Sequence, residues 1–144
     1  MSILVPVTHT TPQIEGVTRN EIFKRFLRET GLGDYGTITA TGSTATLTDT
    51  VQLKSAQFTT RDHVGGWARI GSDAGGSQAA PENEQSPVTT YVPSTGIVTF
   101  SPVMTVAPTT NDQYQLWHGI NPQLAKDFLD DLLTEEIYLP YWSV

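Results

Sequence analysis

The chain has 144 residues, enough for one domain with its own hydrophobic core, and only 16% of them are charged, against about 25% in an average soluble domain. A net charge of −7 argues against a nucleic-acid surface, and the lack of cysteine excludes disulfides and thiolate-bound zinc. Much of the polarity comes instead from 22 threonines, which suit half-exposed, pleated strands.

Residues 1–17 read as an extended arm. Pro6 and Pro12 prevent a helix, and the alternation of Ile3, Val5 and Val7 suits strand addition to a neighbouring sheet, a first strand of this domain, or a plain tail. The run Ile3-Leu4-Val5 has no basic flank, so it is not read as a signal peptide. No stretch approaches the roughly 20 apolar residues of a membrane span.

Thr18 opens a helix. Thr18 and Glu21 have capping-box spacing, Val17 and Ile22 that of a hydrophobic staple. Ile22, Phe23, Phe26 and Leu27 form an apolar stripe, with Arg19, Lys24, Arg25 and Arg28 around it. Gly31 sits where helices stop. Gly31-Leu32-Gly33-Asp34-Tyr35-Gly36 matches GxGxxG, but a dinucleotide fingerprint follows a strand and opens a helix. Here the order is reversed, so the string reads as a helix stop and a turn.

Strands are expected from Thr37. Thr37–Thr41 and Thr44–Thr48 flank Gly42-Ser43 as a hairpin, and Val51–Ala56 and Phe58–Thr60 are weaker strand candidates. Gly65–Ile70 supplies Trp67 and Ile70 to a core. Gly71–Gln85 is a long polar loop, of a length that usually carries function or meets a partner. Val88–Val92 and Ile97–Ser101 flank Pro93-Ser94-Thr95-Gly96 in the clearest hairpin of the chain. Val103–Ala107 extends it. In Asp112–His118, residues Tyr114, Leu116 and His118 take one face and Gln113, Gln115 and Trp117 the other. Many short strands with frequent turns predict a mainly β (α+β) fold, an antiparallel sandwich or barrel flanked by a helix at each end.

Asn121 and Pro122 open the second helix as N-cap and first residue. Leu124, Phe128, Leu129, Leu132 and Leu133 make its apolar face; Asp127, Asp130, Asp131, Glu135 and Glu136 make an acidic one. The basic first helix and acidic second helix are complementary, within one chain or between neighbours. The expected organisation is an arm (1–17), one β domain with both helices (18–133) and an aromatic tail (134–144). In that tail Ile137, Tyr138, Leu139, Tyr141 and Trp142 have the character of contact anchors. With the charged residues Arg19, Lys24, Arg25, Arg28, Asp127, Asp130 and Asp131, they are the expected partner-binding set.

Chemistry is harder to find. His9, His63 and His118 are scattered over arm, loop and strand end, with no HExxH, GxSxG or phosphate-binding loop. Asp49, Asp62, Asp73, Glu82 and Glu84 fall where turns recruit acids anyway. Trp67, Tyr91, Tyr114 and Trp117 suit a core or a sugar-stacking platform. No catalytic residue, cofactor or metal is expected.

Taken together, GGWARI, the Gly-rich loop, Pro81-Glu82-Asn83-Glu84, VTTYVPSTGIVTFSP and AP…NDQYQLW, which fill the segment Gly65–Leu116 and end at Trp117, resemble virion structural proteins of tailed bacteriophages. That family pattern has a Gly-Gly-Trp strand, a Pro-Glu-x-Glu loop, a Tyr–turn–Gly hairpin ending in Ser-Pro, and an Asp-x-Tyr-x-Leu strand. The resemblance implies a structural, non-enzymatic part of the particle, made in the host cytoplasm. The terminal helices suit a neck or head-to-tail adaptor, a homo-oligomeric ring binding the portal protein and the next neck or tail ring. DNA would pass through without sequence-specific binding, and no membrane would be involved. The alternatives are a capsid cement or decoration protein and, in another class, a carbohydrate-binding module or small hydrolase.

Overall fold

The computed structural model describes residues 18–136. Helix α1 (Arg19–Thr30) begins and ends on the local signals. Thr18 is extended and its hydroxyl accepts the Glu21 N–H at 3.2 Å, and Gly31 stops the helix in the left-handed region at φ +70°. Glu21 places its carboxylate on Lys24 at 3.2 Å instead of completing a capping box.

Seven strands follow, with a one-turn helix among them: β1 (Gly33–Thr37), β2 (Ala40–Ser43), β3 (Thr46–Thr48), α2 (Ala56–Thr59), β4 (Trp67–Ser72), β5 (Gln85–Val92), β6 (Ile97–Phe100) and β7 (Gln113–Trp117). Helix α3 (Pro122–Glu136) follows β7. Asn121 caps α3 through its side-chain oxygen, which accepts the Gln123 N–H at 2.9 Å.

The strands form one antiparallel sheet in the order β1-β7-β4-β5-β6-β3-β2. The fold is mainly β with a helix at each end, as expected, and the seven strands make an open sheet that is not closed into a barrel. The reason lies at Ile38 and Thr39, which join the two edge strands. Ile38 exchanges main-chain hydrogen bonds with Asp112 and Asn111, just before β7, while the Thr39 N–H already donates to Thr48 on β3. One run of chain therefore leaves the first edge and becomes the last. The sheet curls until its edges meet at this corner, yet no ladder joins them.

The curl encloses the main core: Ile38, Leu47, Leu53, Phe58, Ala68, Ile70, Val88, Val98, Phe100, Met104, Tyr114 and Leu116. Tyr114 and Leu116 belong to it because alternate residues of β7 share a face. The opposite face of β1, β7 and β4 is covered by α1. There Trp117 is fully buried, edge-on to Phe23 (ring centroids 5.3 Å) and stacked with Phe26 (5.8 Å). Such aromatic pairs add about 0.5–1.5 kcal/mol each beyond area burial.

Five local expectations are corrected. Gly33–Gly36, read as part of a helix stop and turn, runs as β1 because it pairs with β7. The Gly42-Ser43 turn is displaced, since β2 runs through both residues and the reversal falls at Thr44-Ala45. Val51–Ala56 and Phe58–Thr60 are turns and α2 instead of strands, because Asp49 Oδ1 accepts the N–H groups of Val51 and Gln52 (2.9 Å each) and folds the chain back. Val103–Ala107 pairs with no strand; the Thr105 N–H is taken by the Glu84 carboxylate at 2.8 Å. The hairpin of Val88–Val92 and Ile97–Ser101 forms as expected, as β5 and β6, with Gly96 at φ +70° in its turn.

Candidate functional site

At one mouth of the curled sheet, three residues distant in sequence converge. Asp34 lies on β1 opposite Leu116, so its side chain takes the core face. His118 directly follows β7 on the same face as Tyr114 and Leu116, and its N–H donates to the Leu32 carbonyl at 2.7 Å, locking the strand end beside β1. His63 comes from the loop between α2 and β4 and is fully buried.

His63 Nδ1 and His118 Nε2 are 3.0 Å apart, and the rings are tilted by 47°. One oxygen of Asp34 and one nitrogen of each imidazole lie within 4.8 Å of one another. The Arg61 guanidinium holds Asp34 Oδ1, whereas Asp34 Oδ2 and His63 Nε2 are buried and lack a hydrogen-bond partner. The Tyr91 ring stands edge-on to His63 at 4.6 Å. Burial pushes the His63 pKa down, with His118 acting in the same direction against Asp34 and the Phe58 carbonyl. Burial lowers that of His118 too, against the pull of Asp34. Both shifts favour the neutral imidazole, the form that keeps a lone pair for a ligand.

A second feature is a trough of about 370 Å³ between α1 and α3, lined wholly by apolar side chains, among them Ile22, Phe26, Leu124, Phe128 and Leu132. Leu124 and Phe128 are 66% and 68% exposed. Above it Arg19 pairs with Asp130 at 2.5 Å, and Lys126 takes the other Asp130 oxygen at 2.9 Å. The complementary helix charges therefore meet within one chain.

The remaining predicted contact residues spread over both helices. Lys24 reaches Gln113 Oε1 at 3.3 Å and lies 5.3 Å from the Tyr35 ring centroid. Arg25 and Arg28 are exposed on α1, and among the described residues neither forms an ion pair. Asp127 accepts from the Gln123 amide at 2.8 Å, and Asp131 is exposed. Ile137, Tyr138, Leu139, Tyr141 and Trp142, with the arm 1–17, lie outside the described residues.

The loop acids serve as main-chain acceptors. Besides Asp49 and Glu84, Asp62 takes the Val64 N–H, Asp73 that of Ser77, and Glu82 that of Asp73. Asp112, fully buried, ties the long loop to the approach to β7 by accepting from Ala74 (2.9 Å) and Thr109 (2.8 Å). The four aromatics of the platform reading do not share a face: Tyr91 and Tyr114 adjoin the main core, while Trp67 and Trp117 lie under α1.

The Asp34–His63–His118 convergence had no local signature. The histidines are 55 residues apart, and Asp34 hides inside the GxGxxG string. The one available hint was that His118 shares the apolar face of Tyr114 and Leu116.

No helix among the described residues is long and apolar enough to cross a membrane. No family model matches the chain, and no curated protein or solved structure matches it either.

Proposed function

We propose that the chain is a ring-forming structural subunit of a tailed-phage particle, an adaptor between the portal and the next neck or tail ring. The observation that carries this reading is the apolar trough between α1 and α3. Leu124 and Phe128 expose most of their surface on one helix face, an arrangement costly in a free monomer and natural in a subunit.

Charge supports a ring. Arg25 and Arg28 stand exposed on α1, and Asp127 and Asp131 on α3. A basic edge on one copy can meet the acidic edge of the next. Such a head-to-tail contact uses two different surfaces and closes into a ring when the rotation permits. The residues 137–144 would then dock on the portal or the adjoining ring, with Tyr138, Tyr141 and Trp142 as anchors.

Sedimentation of the purified chain, alone and with portal protein, tests the reading. The Leu124→Glu/Phe128→Glu double variant should keep the melting temperature and lose the assembled species. Deletion of Ile137–Val144 should leave the ring and remove portal binding. A wild-type chain that stays monomeric in both conditions rules the adaptor out. Hundreds of copies spread over the capsid shell would make it a decoration protein instead.

A further inference from the structure

The geometry points to a binding site for one divalent transition-metal ion, of the zinc class, formed by Asp34, His63 and His118. It is independent of the assembly role.

Three observations carry it. First, His63 Nδ1 and His118 Nε2 share a 3.0 Å hydrogen bond, which an ion held by both would replace once the bridging proton moves to the other nitrogen of its ring. Two nitrogens about 2.0–2.1 Å from a tetrahedral zinc lie about 3.3 Å apart, so the pair is already near ligand spacing. Second, the three donors sit within 4.8 Å of one another, so a closure of no more than about 1.5 Å lets them share one ion. Third, Asp34 is 7% exposed and its Oδ2 has no partner. A buried carboxylate oxygen left unpaired is costly, and a cation satisfies it. Arg61 holds the other oxygen and so fixes the carboxylate's orientation, the part an outer-shell group plays at metal sites.

The donor set selects the ion. Two imidazoles and one carboxylate suit zinc, cobalt or nickel better than calcium or magnesium, which prefer all-oxygen shells. His118 is partly exposed, which would give the ion a way in and let water take a fourth position. The bound ion would clasp β1, the α2–β4 loop and the end of β7, three segments that are distant in sequence. It would thereby stabilise the fold at the mouth of the core.

The test uses the untagged full chain, stripped with chelator and titrated with zinc chloride and, separately, cobalt chloride. Calorimetry should give one tight equivalent, and the cobalt form should show the visible absorption of a four- or five-coordinate ion. With free zinc at 100 times its dissociation constant the melting temperature should rise by about 8 °C. Asp34→Asn and His118→Gln should each weaken binding at least about tenfold. His118→Gln is the safer variant for folding, since its side chain is less buried than that of Asp34, and circular dichroism checks the fold of both. Absence of saturable binding to the wild type overturns the proposal. So does binding of equal strength in both variants, which would place the ion elsewhere, for instance on His9.

Discussion

The Tyr114 hydroxyl donates a 2.8 Å hydrogen bond to Asp49 Oδ2, joining the start of β7 to the turn after β3 with both groups 1% exposed. Burial, followed by the Asp49 charge, drives the Tyr114 pKa far above its usual value. Below pH 10 the tyrosine is neutral in both folded and unfolded chains. Above pH 10 the unfolded chain releases the proton and the folded one keeps it, so stability falls by about 1.4 kcal/mol per pH unit. Arg69, lowered to about 10 mainly by burial, acts the other way over the same range. The measurement is therefore a difference. Urea unfolding at neutral pH should find Tyr114→Phe weaker by about 1–3 kcal/mol, because Asp49 loses a donor. Above pH 10 that gap should shrink, and a gap independent of pH would refute the assignment.

Two glycines of the GxGxxG string should respond very differently to alanine. At Gly31 a Cβ meets nothing within 4 Å, so only the φ of +70° resists, at about 1 kcal/mol. At Gly33 a Cβ would fall 2.2 Å from the Leu116 carbonyl oxygen and 2.8 Å from Leu27 Cδ2, where α1 crosses the sheet. Gly33→Ala should cost about 3 kcal/mol or more, read as a fall in the urea midpoint. Equal, small effects would mean that α1 does not lie against β1.

The Arg19–Asp130 pair should contribute little and depend on salt. Both side chains are a third or more exposed, so a double-mutant cycle should give roughly 0.2–1 kcal/mol at low ionic strength. It should fade in 1 M salt, where screening acts over about 3 Å. Burial raises the Asp130 pKa, but the hydrogen bonds from Lys126 and Arg19 outweigh it and the net shift is downward. Its contribution is therefore present at neutral pH and lost as the pH falls below about 4. Asp130→Asn should flatten that part of the acid-stability curve.

Legibility in the sequence followed the range of the interaction. Both helices were readable because Thr18, Gly31 and Asn121 act on neighbours within a few residues. The β5–β6 hairpin was readable because its turn lies between its strands. β1 was not: Gly33-Asp34-Tyr35-Gly36-Thr37 has the composition of a turn, and only its pairing with β7 and the crossing of α1 make it a strand. Openness of the sheet was hidden for the same reason, since strand order is a property of distant partners. At the candidate metal site, each residue looked ordinary alone, and register brought them together.

Both edges of this sheet belong to one stretch, Gly33–Ser43, through the two-residue link at Ile38-Thr39. An ordinary open sheet can fray at one side while the other holds. Here, loosening of eleven consecutive residues would unzip the first and last strands together and uncover the core from two directions. The sheet thus behaves as a wrapped band with a single overlap, and the integrity of the whole wrap is concentrated at that seam.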